Sequence, residues 1–266
     1  MSQSASPYHP ANVATNPDIS GLLKQWPFEP GRLNVRTITG RDGEPRIQMR
    51  VDLGILQMHT EGRPDGQRPF GFESLLEYHE SRLDQARSEA TDPEQAEFSL
   101  SGEQCRDLRD EAVQYYQRYM SLLVLEDFEG VVRDTSRNLR VLDLCHKHGT
   151  SEADRQAMEP FRAFITMMRA RALASQAIKD NEPKAAIHAI DDGLEALRHH
   201  FTTSGQESGF DQSAEVQTLR GMREALVPKL PLSPRAELQR RLDEAIKSEN
   251  YELAAILRDE LRGLGG

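Results

Sequence analysis

The sequence predicts a mainly α-helical protein with a small β element near its N-terminus and a separate helical hairpin at its C-terminus. Three observations carry that expectation. Period-two apolar runs flank a Gly/Asp turn between residues 33 and 53, and helical apolar spacing then persists from Leu75 to Val227. A proline-punctuated stretch finally isolates two short apolar stripes after residue 234. At 266 residues the chain suffices for one large domain or two small ones. The longest apolar run, Leu122 to Leu125, falls far short of the roughly 18 residues of a membrane span.

Residues 1–30 are rich in Pro, Ser and Asn and read as a disordered tail. Residues 31–70 read as a β-hairpin element. Leu33, Val35 and Thr37 alternate with polar residues, Gly40 to Pro45 supply turn chemistry, and Ile47, Met49, Val51 and Leu53 alternate again. Gly54 is expected to be a bulge, because Ile55, Leu56 and Met58 continue the apolar pattern beyond it. The string Gly62-Arg63-Pro64-Asp65-Gly66 is a further turn.

Residues 71–227 read as a helical body. Leu75, Leu76, His79, Leu83 and Ala86 share one face, and Asp92-Pro93 stops or restarts a helix. A long helix over 103–125 carries Leu108, Ala112, Tyr115, Tyr116, Tyr119 and Leu123, with the tyrosines expected in the core and not as a platform for bases. Glu126 to Gly130 breaks it, and a second helix runs from Val131 to Leu144. A similar hairpin recurs at Phe161–Ile178 and Pro183–Leu197, turning at Asp180 to Pro183. These units resemble tetratricopeptide repeats. Phe128 matches the aromatic opening the second helix, Val131 and Ala186 its small residue, and Leu139 and Leu194 follow eight residues later. Their 55-residue offset departs from the roughly 34 of that repeat, and Pro183 replaces the aromatic, so an irregular bundle is the alternative. Residues 202–213 read as a loop, and a helix follows from Ser213 to Val227.

Residues 228–234 form a Pro-rich linker that ends with Ser233 as N-cap and Pro234 at the first helical position. The last segment, 235–264, holds one stripe of Leu238, Leu242, Ala245 and Ile246, a turn at Ser248-Glu249-Asn250, and a second stripe of Ala254, Leu257, Leu261 and Leu264. Helices of 12–14 residues are marginal alone, so this hairpin must pack on itself, a copy, the body or a partner.

Charge narrows the function classes. The net charge is −10, and residues 71–232 account for all of it. Only residues 31–70, with seven Arg against five carboxylates, lean positive, so direct nucleic-acid binding is disfavoured. Cys105 and Cys145 form no CxxC pair and no secretory signal opens the chain, which points to the cytoplasm. Cys145-His146-Lys147-His148 and His199-His200 are expected to close helices, where cationic groups favour the negative end of the dipole. His59 lies near Glu61 and Asp65, but nothing adjacent supplies a third metal ligand or a nucleophile. GxSxG, HExxH, EF-hand and dinucleotide fingerprints are missing, so no catalytic residue, metal or cofactor is assigned.

One string is specific. Leu238-x3-Leu242-x2-Ala245-Ile246-x2-Glu249-Asn250-Tyr251-Glu252-x-Ala254-Ala255-x-Leu257-Arg258-Asp259-Glu260-Leu261 closely resembles the UVR motif, with Tyr251 where that family usually has Phe. The motif is shared by the B and C subunits of the bacterial UvrABC excision nuclease and by some stress-response adapters. The resemblance implies a helical hairpin that associates with another such hairpin. It nominates Leu238, Leu242, Ile246, Tyr251, Ala254, Ala255, Leu257 and Leu261 as partner-binding residues, with Arg258 and Asp259 as polar positions beside the seam. The rest of the chain departs from those enzymes: it has no GxxxxGK[ST] loop, no recognisable nuclease constellation and no paired CxxC ligands. The combination of β-hairpin, helical body and UVR tail resembles planctomycete-type bacterial UVR-motif proteins. The expected function is a non-enzymatic protein–protein adapter. The alternative is an accessory DNA-repair protein that touches DNA through Arg36, Arg41, Arg46, Arg50, Arg63 and Arg68 and recruits excision-repair subunits.

Overall fold

The computed structural model describes residues 18–227, 234–248, 256–258 and 260. It divides into two compact units. The first holds the described residues up to Asp127 together with His148–Ser151, and the second holds Phe128–Lys147 and the described residues from Glu152 onward.

In the first unit the β element has three antiparallel strands, not two: β1 (Asn34–Thr39), β2 (Pro45–Val51) and β3 (Gly54–His59), in that order. Gly54 is not a bulge. It pairs with Val51 across a two-residue turn at Asp52-Leu53, so the apolar residues beyond it belong to a new strand. Neither turn residue has positive φ, so this hairpin lacks the Asn-Gly or Asp-Gly signature of primed turns. Central β2 is buried on both faces. Ile47 and Met49 point one way with Met58 of β3, and Arg46, Gln48 and Arg50 point the other.

The tail expected over 1–30 is structured from Asp18 on; residues 1–17 lie outside the described residues. Helix α1 (Ser20–Gln25) buries no side chain, and Trp26 and Phe28 then half-bury themselves on the polar face of the sheet. Two aromatic rings at period two can cover that face, which composition alone does not reveal.

Helix α2 (Leu75–Glu89) starts at Ser74, whose hydroxyl accepts from Glu77 N–H, and buries Leu76, His79 and Leu83 as its spacing predicts. Helix α3 (Gly102–Val124) opens with a reciprocal capping box between Ser101 and Gln104. It packs on α2 and β2 through a face that includes Leu108, Ala112, Tyr115 and Tyr119. Tyr115 and Tyr119 are buried, as expected of core residues, whereas Tyr116 is exposed. Arg118 is 1% exposed and donates to the carbonyls of His59 (3.1 Å) and Gly62 (2.8 Å), pinning the end of β3 to α3.

In the second unit, α4 (Phe128–His148) follows the expected break but is longer than expected, taking in Phe128 to Gly130 ahead of Val131 and running past Leu144; its last residue, His148, is counted with the first unit. The short α5 (Glu152–Gln156) and a 3-10 turn at Glu159–Phe161 lead to α6 (Arg162–Lys179). α7 (Pro183–Thr203) follows across a turn in which Asn181 has φ 61°. The two helices pack so closely at Gly193 that an added Cβ would sit 2.4 Å from Ala170 Cβ. The segment expected as a loop over 202–213 is partly helical: α7 runs to Thr203, and a 3-10 stretch at Glu207–Gln212 buries Phe210 against Phe201. α8 (Ala214–Leu226), capped by Ser213, packs on α6 and α7. Residues 228–233 of the expected linker, including its Ser233 cap, lie outside the described residues. Helix α9 (Pro234–Lys247) begins at the proline assigned to the first helical position. Among the described residues no helix is long and apolar enough to cross a membrane.

Candidate functional site

The C-terminal hairpin carries the sequence-nominated docking residues. Leu238, Leu242 and Ala245 recur at helical spacing along α9 and meet Leu257 of the second, helical segment. Ala245 and Leu257 are fully buried, with Leu238 and Leu242 half-buried beside them. This is the hairpin's own seam. Ile246 does not join it: one residue beyond Ala245 on a helix is a turn of about 100°, and Ile246 is 50% exposed, as is Ile256 at 54%. Arg258 is exposed. Tyr251, Ala254, Ala255, Asp259 and Leu261 lie outside the described residues.

The arginines of the β element are largely engaged inside the protein. Arg50 is 7% exposed; its Nε donates to Trp26 O at 2.8 Å, and its Nη1 donates to the carbonyls of Val51, Asp52 and Gly54, closing the β2–β3 turn. Arg46 pairs with Asp42 and donates to Pro45 O. Arg36 donates from Nε to Gln48 (2.8 Å) beneath the Trp26 ring, whose centroid is 4.1 Å from its guanidinium carbon. Gln48 passes the chain on to Gln57 at 2.9 Å. Arg63 faces Asp65 at 3.1 Å and the buried Glu111 at 3.5 Å. Arg41 and Arg68 are exposed. Asp65, one of the two carboxylates near His59 in the sequence, is held by Arg63 and by Gln114 (3.2 Å). The His59 ring instead packs over Gly66, where φ is 74° and a Cβ would come within 2.4 Å.

A cleft of 660 Å³ opens in the second unit between α4, α6 and α7. Sequence reasoning did not group its residues. Arg162, at the start of α6, grips Glu159 with two nitrogens (2.8 and 2.9 Å) and Asp143 of α4 with a third (2.7 Å). His146 Nδ1 stands 3.6 Å from Glu159. Burial pushes the Glu159 carboxyl up, but the hydrogen bonds and charge of Arg162, with smaller pulls from His146 and His200, leave it below its ordinary value. His200 is lowered, first by burial and against the pull of Glu159. Glu159's hydrogen bond raises Arg162. The charges are therefore spent largely on one another, and the cluster works as a clip between α4, the 3-10 turn and α6. Its members span 143–200, a separation that leaves no local motif.

Cys145, His146, Lys147 and His148 form the last turn of α4 as the sequence indicates, and His200 stands in the last turn of α7. His199 and His200 lie one turn inside α7, which ends at Thr203, and the His200 carbonyl accepts from Ser204 N–H. At the end of α4 the closure is made by backbone: His148 O accepts from Leu100 N–H at 2.8 Å, and Leu100 O accepts from Thr150 N–H at 3.0 Å. Both cysteines are buried. Among the described residues, no group of three or more His, Cys, Asp or Glu is placed to hold a metal ion.

Searches of curated proteins and of solved structures return no significant match. A scan against protein-family models matches the UvrB/uvrC motif at residues 235–265, the segment in which the structure places α9 and the Ala245–Leu257 seam. The C-terminal hairpin of this chain is a UVR motif.

Proposed function

We propose that this protein is a non-enzymatic adapter that docks through its UVR hairpin onto another UVR hairpin or onto its own copy. The observation carrying this reading is the division of the apolar residues within the motif. Leu238, Leu242, Ala245 and Leu257 close the hairpin, while Ile246 and Ile256 are left at the surface. Exposed aliphatic side chains on a two-helix unit favour burial against a further helix. The engagement of Arg46, Arg50 and Arg63 inside the first unit supports the adapter over an arginine hairpin laid on DNA, since such contacts need guanidinium groups offered to phosphates. The mutually paired charges of the second-unit cleft likewise favour a non-catalytic body.

Affinity capture from the source cell and light scattering of the purified chain test the reading. The full chain is expected to recover a partner or self-associate, and residues 1–232 to do neither. Identical behaviour of the two would overturn it.

A further inference from the structure

The cleft between α4, α6 and α7 carries two opposite charges that the clip at its end does not use. Helices α6 and α7 run antiparallel across the turn at 180–182 and meet at Ala170 and Gly193. Arg169 and Asp192 each stand one residue before that contact. One step of about 100° on antiparallel helices turns both side chains to the same side, and both line the cleft. Arg169 Nε donates to Ser136 Oγ of α4 at 2.9 Å, and its two terminal nitrogens meet no acceptor among the described residues. Asp192 meets the exposed His188 at 3.5 Å. Among the described residues it meets no arginine or lysine, and it makes no ion pair with Arg169.

That arrangement selects against single charges. A simple anion drawn to Arg169 meets Asp192, and a simple cation drawn to Asp192 meets Arg169. A molecule that carries both a carboxylate and an ammonium satisfies the two at once. The apolar floor of Ala170 and Gly193 lowers the local dielectric and strengthens each contact. At 660 Å³ the cleft falls within the range of small-molecule sites, about 300–1,000 Å³. It extends chiefly to one side of the pair. Two turns of α6, about 10 Å, separate Arg169 from Arg162, and Leu139, Thr166, Ala196 and His199 line the space between. On the other side the lining ends one turn away, at Leu173 and Ala189.

We propose that this cleft binds a free α-amino acid with an extended side chain. Arg169 takes the carboxylate, Asp192 takes the ammonium, and the side chain lies over Leu139, Thr166 and Ala196 towards the clip. Two bridges between α4 and α6, Asp143–Arg162 at 2.7 Å and Ser136–Arg169 at 2.9 Å, fix the walls before a ligand arrives. A site ordered in advance loses less freedom on binding. The site belongs to the second unit and makes no use of the hairpin's apolar surface, so it gives the body of the adapter a ligand of its own.

Isothermal titration of the full chain with L-glutamine, L-methionine, L-lysine and L-arginine, each in turn, tests this. At least one is expected to bind saturably with a Kd below about 1 mM, and glycine about tenfold more weakly than the best of them. The N-acetyl and carboxamide derivatives of that amino acid, each lacking one charge, should both bind about tenfold more weakly or worse. R169Q and D192N should weaken the parent amino acid by a similar factor, about tenfold. Both substituted side chains are exposed, so the variants should keep the wild-type circular dichroism. No saturable binding by any of the four up to about 10 mM overturns the proposal. So does binding that R169Q and D192N leave unchanged, or glycine binding as tightly as the best of the four. Capture through the UVR tail is a separate readout, so either reading can fail without the other.

Discussion

Glu111 of α3 caps a helix to which it does not belong: its Oε1 accepts from the backbone N–H of Leu75, 36 residues earlier, at 2.8 Å. Leu75 is the first residue of α2, where N–H groups lack partners within the helix. A carboxylate at that positive end is favoured electrostatically, and Arg63 Nε at 3.5 Å adds a counter-charge. Glu111 is 1% exposed, so this arrangement replaces water with the helix end and an arginine.

Truncating it leaves buried donors without an acceptor. E111A is expected to cost about 3 kcal/mol in urea denaturation, whereas E111Q, which keeps an oxygen for Leu75 but drops the charge, should cost about 1 kcal/mol. Equal losses for the two variants would show that the charge carries the whole effect and the retained oxygen contributes nothing.

His79 should make the first unit sensitive to mild acid. Burial, then the Arg82 charge, hold its pKa down to about 4 against an opposing pull from Asp107. The folded protein therefore resists a proton that the unfolded chain accepts near 6.5. The stability due to neutral His79 is complete above about pH 6.5 and is lost progressively as pH falls towards 4. Melting temperatures across this window should decline in the wild type and decline less in H79Q; parallel curves would contradict the assignment.

Two glycines separate packing from propensity. At Gly193 an added methyl meets Ala170 Cβ at 2.4 Å and Leu219 Cδ1 at 3.1 Å, so G193A should destabilise by about 1–3 kcal/mol. At Gly221, inside α8, a Cβ meets nothing within 4 Å, so G221A should stabilise by about 0.5–1 kcal/mol. Thermal melts of the two variants should move in opposite directions.

Within the UVR hairpin, burial distinguishes closing from docking. L257D places a charge in the seam and should lower helical content as well as association. I246D alters a half-exposed position and should leave circular dichroism unchanged while reducing partner capture or self-association. Loss of helix in I246D would assign that residue to the seam.

The helices were legible where periodicity and punctuation agreed. The pattern of Leu76, His79 and Leu83 behind Ser74, the break before Phe128, and Pro234 at a helix start all rest on local chemistry. The C-terminal hairpin was legible because its string is specific. The third strand was not, since Asp52 and Leu53 turn the chain without the residue types that positive φ demands. Trp26 and Phe28 sit in a composition that reads as tail, and only the polar sheet face they cover explains their order. Glu111 and Arg118, charged residues that are ordinarily exposed, are buried because their partners are backbone groups far away in sequence. The Asp143–Arg162–Glu159 clip spans nineteen residues from Asp143 to Arg162 and follows no motif.

The pairing of Leu100 with residues 148 and 150 bears on how the molecule can be cut. The first unit is discontinuous in sequence: the chain leaves it at Asp127, builds most of α4, and returns for His148–Ser151. A fragment ending at 127 would strip Leu100, which is fully buried, of both its backbone partners. Extending that fragment to 151 would carry α4 away from Glu159 and Arg162. No single scission yields both units whole, so a protease nick near residue 127 should leave pieces that stay associated and unfold together, and gene fusions are better joined at the chain's ends than at that boundary.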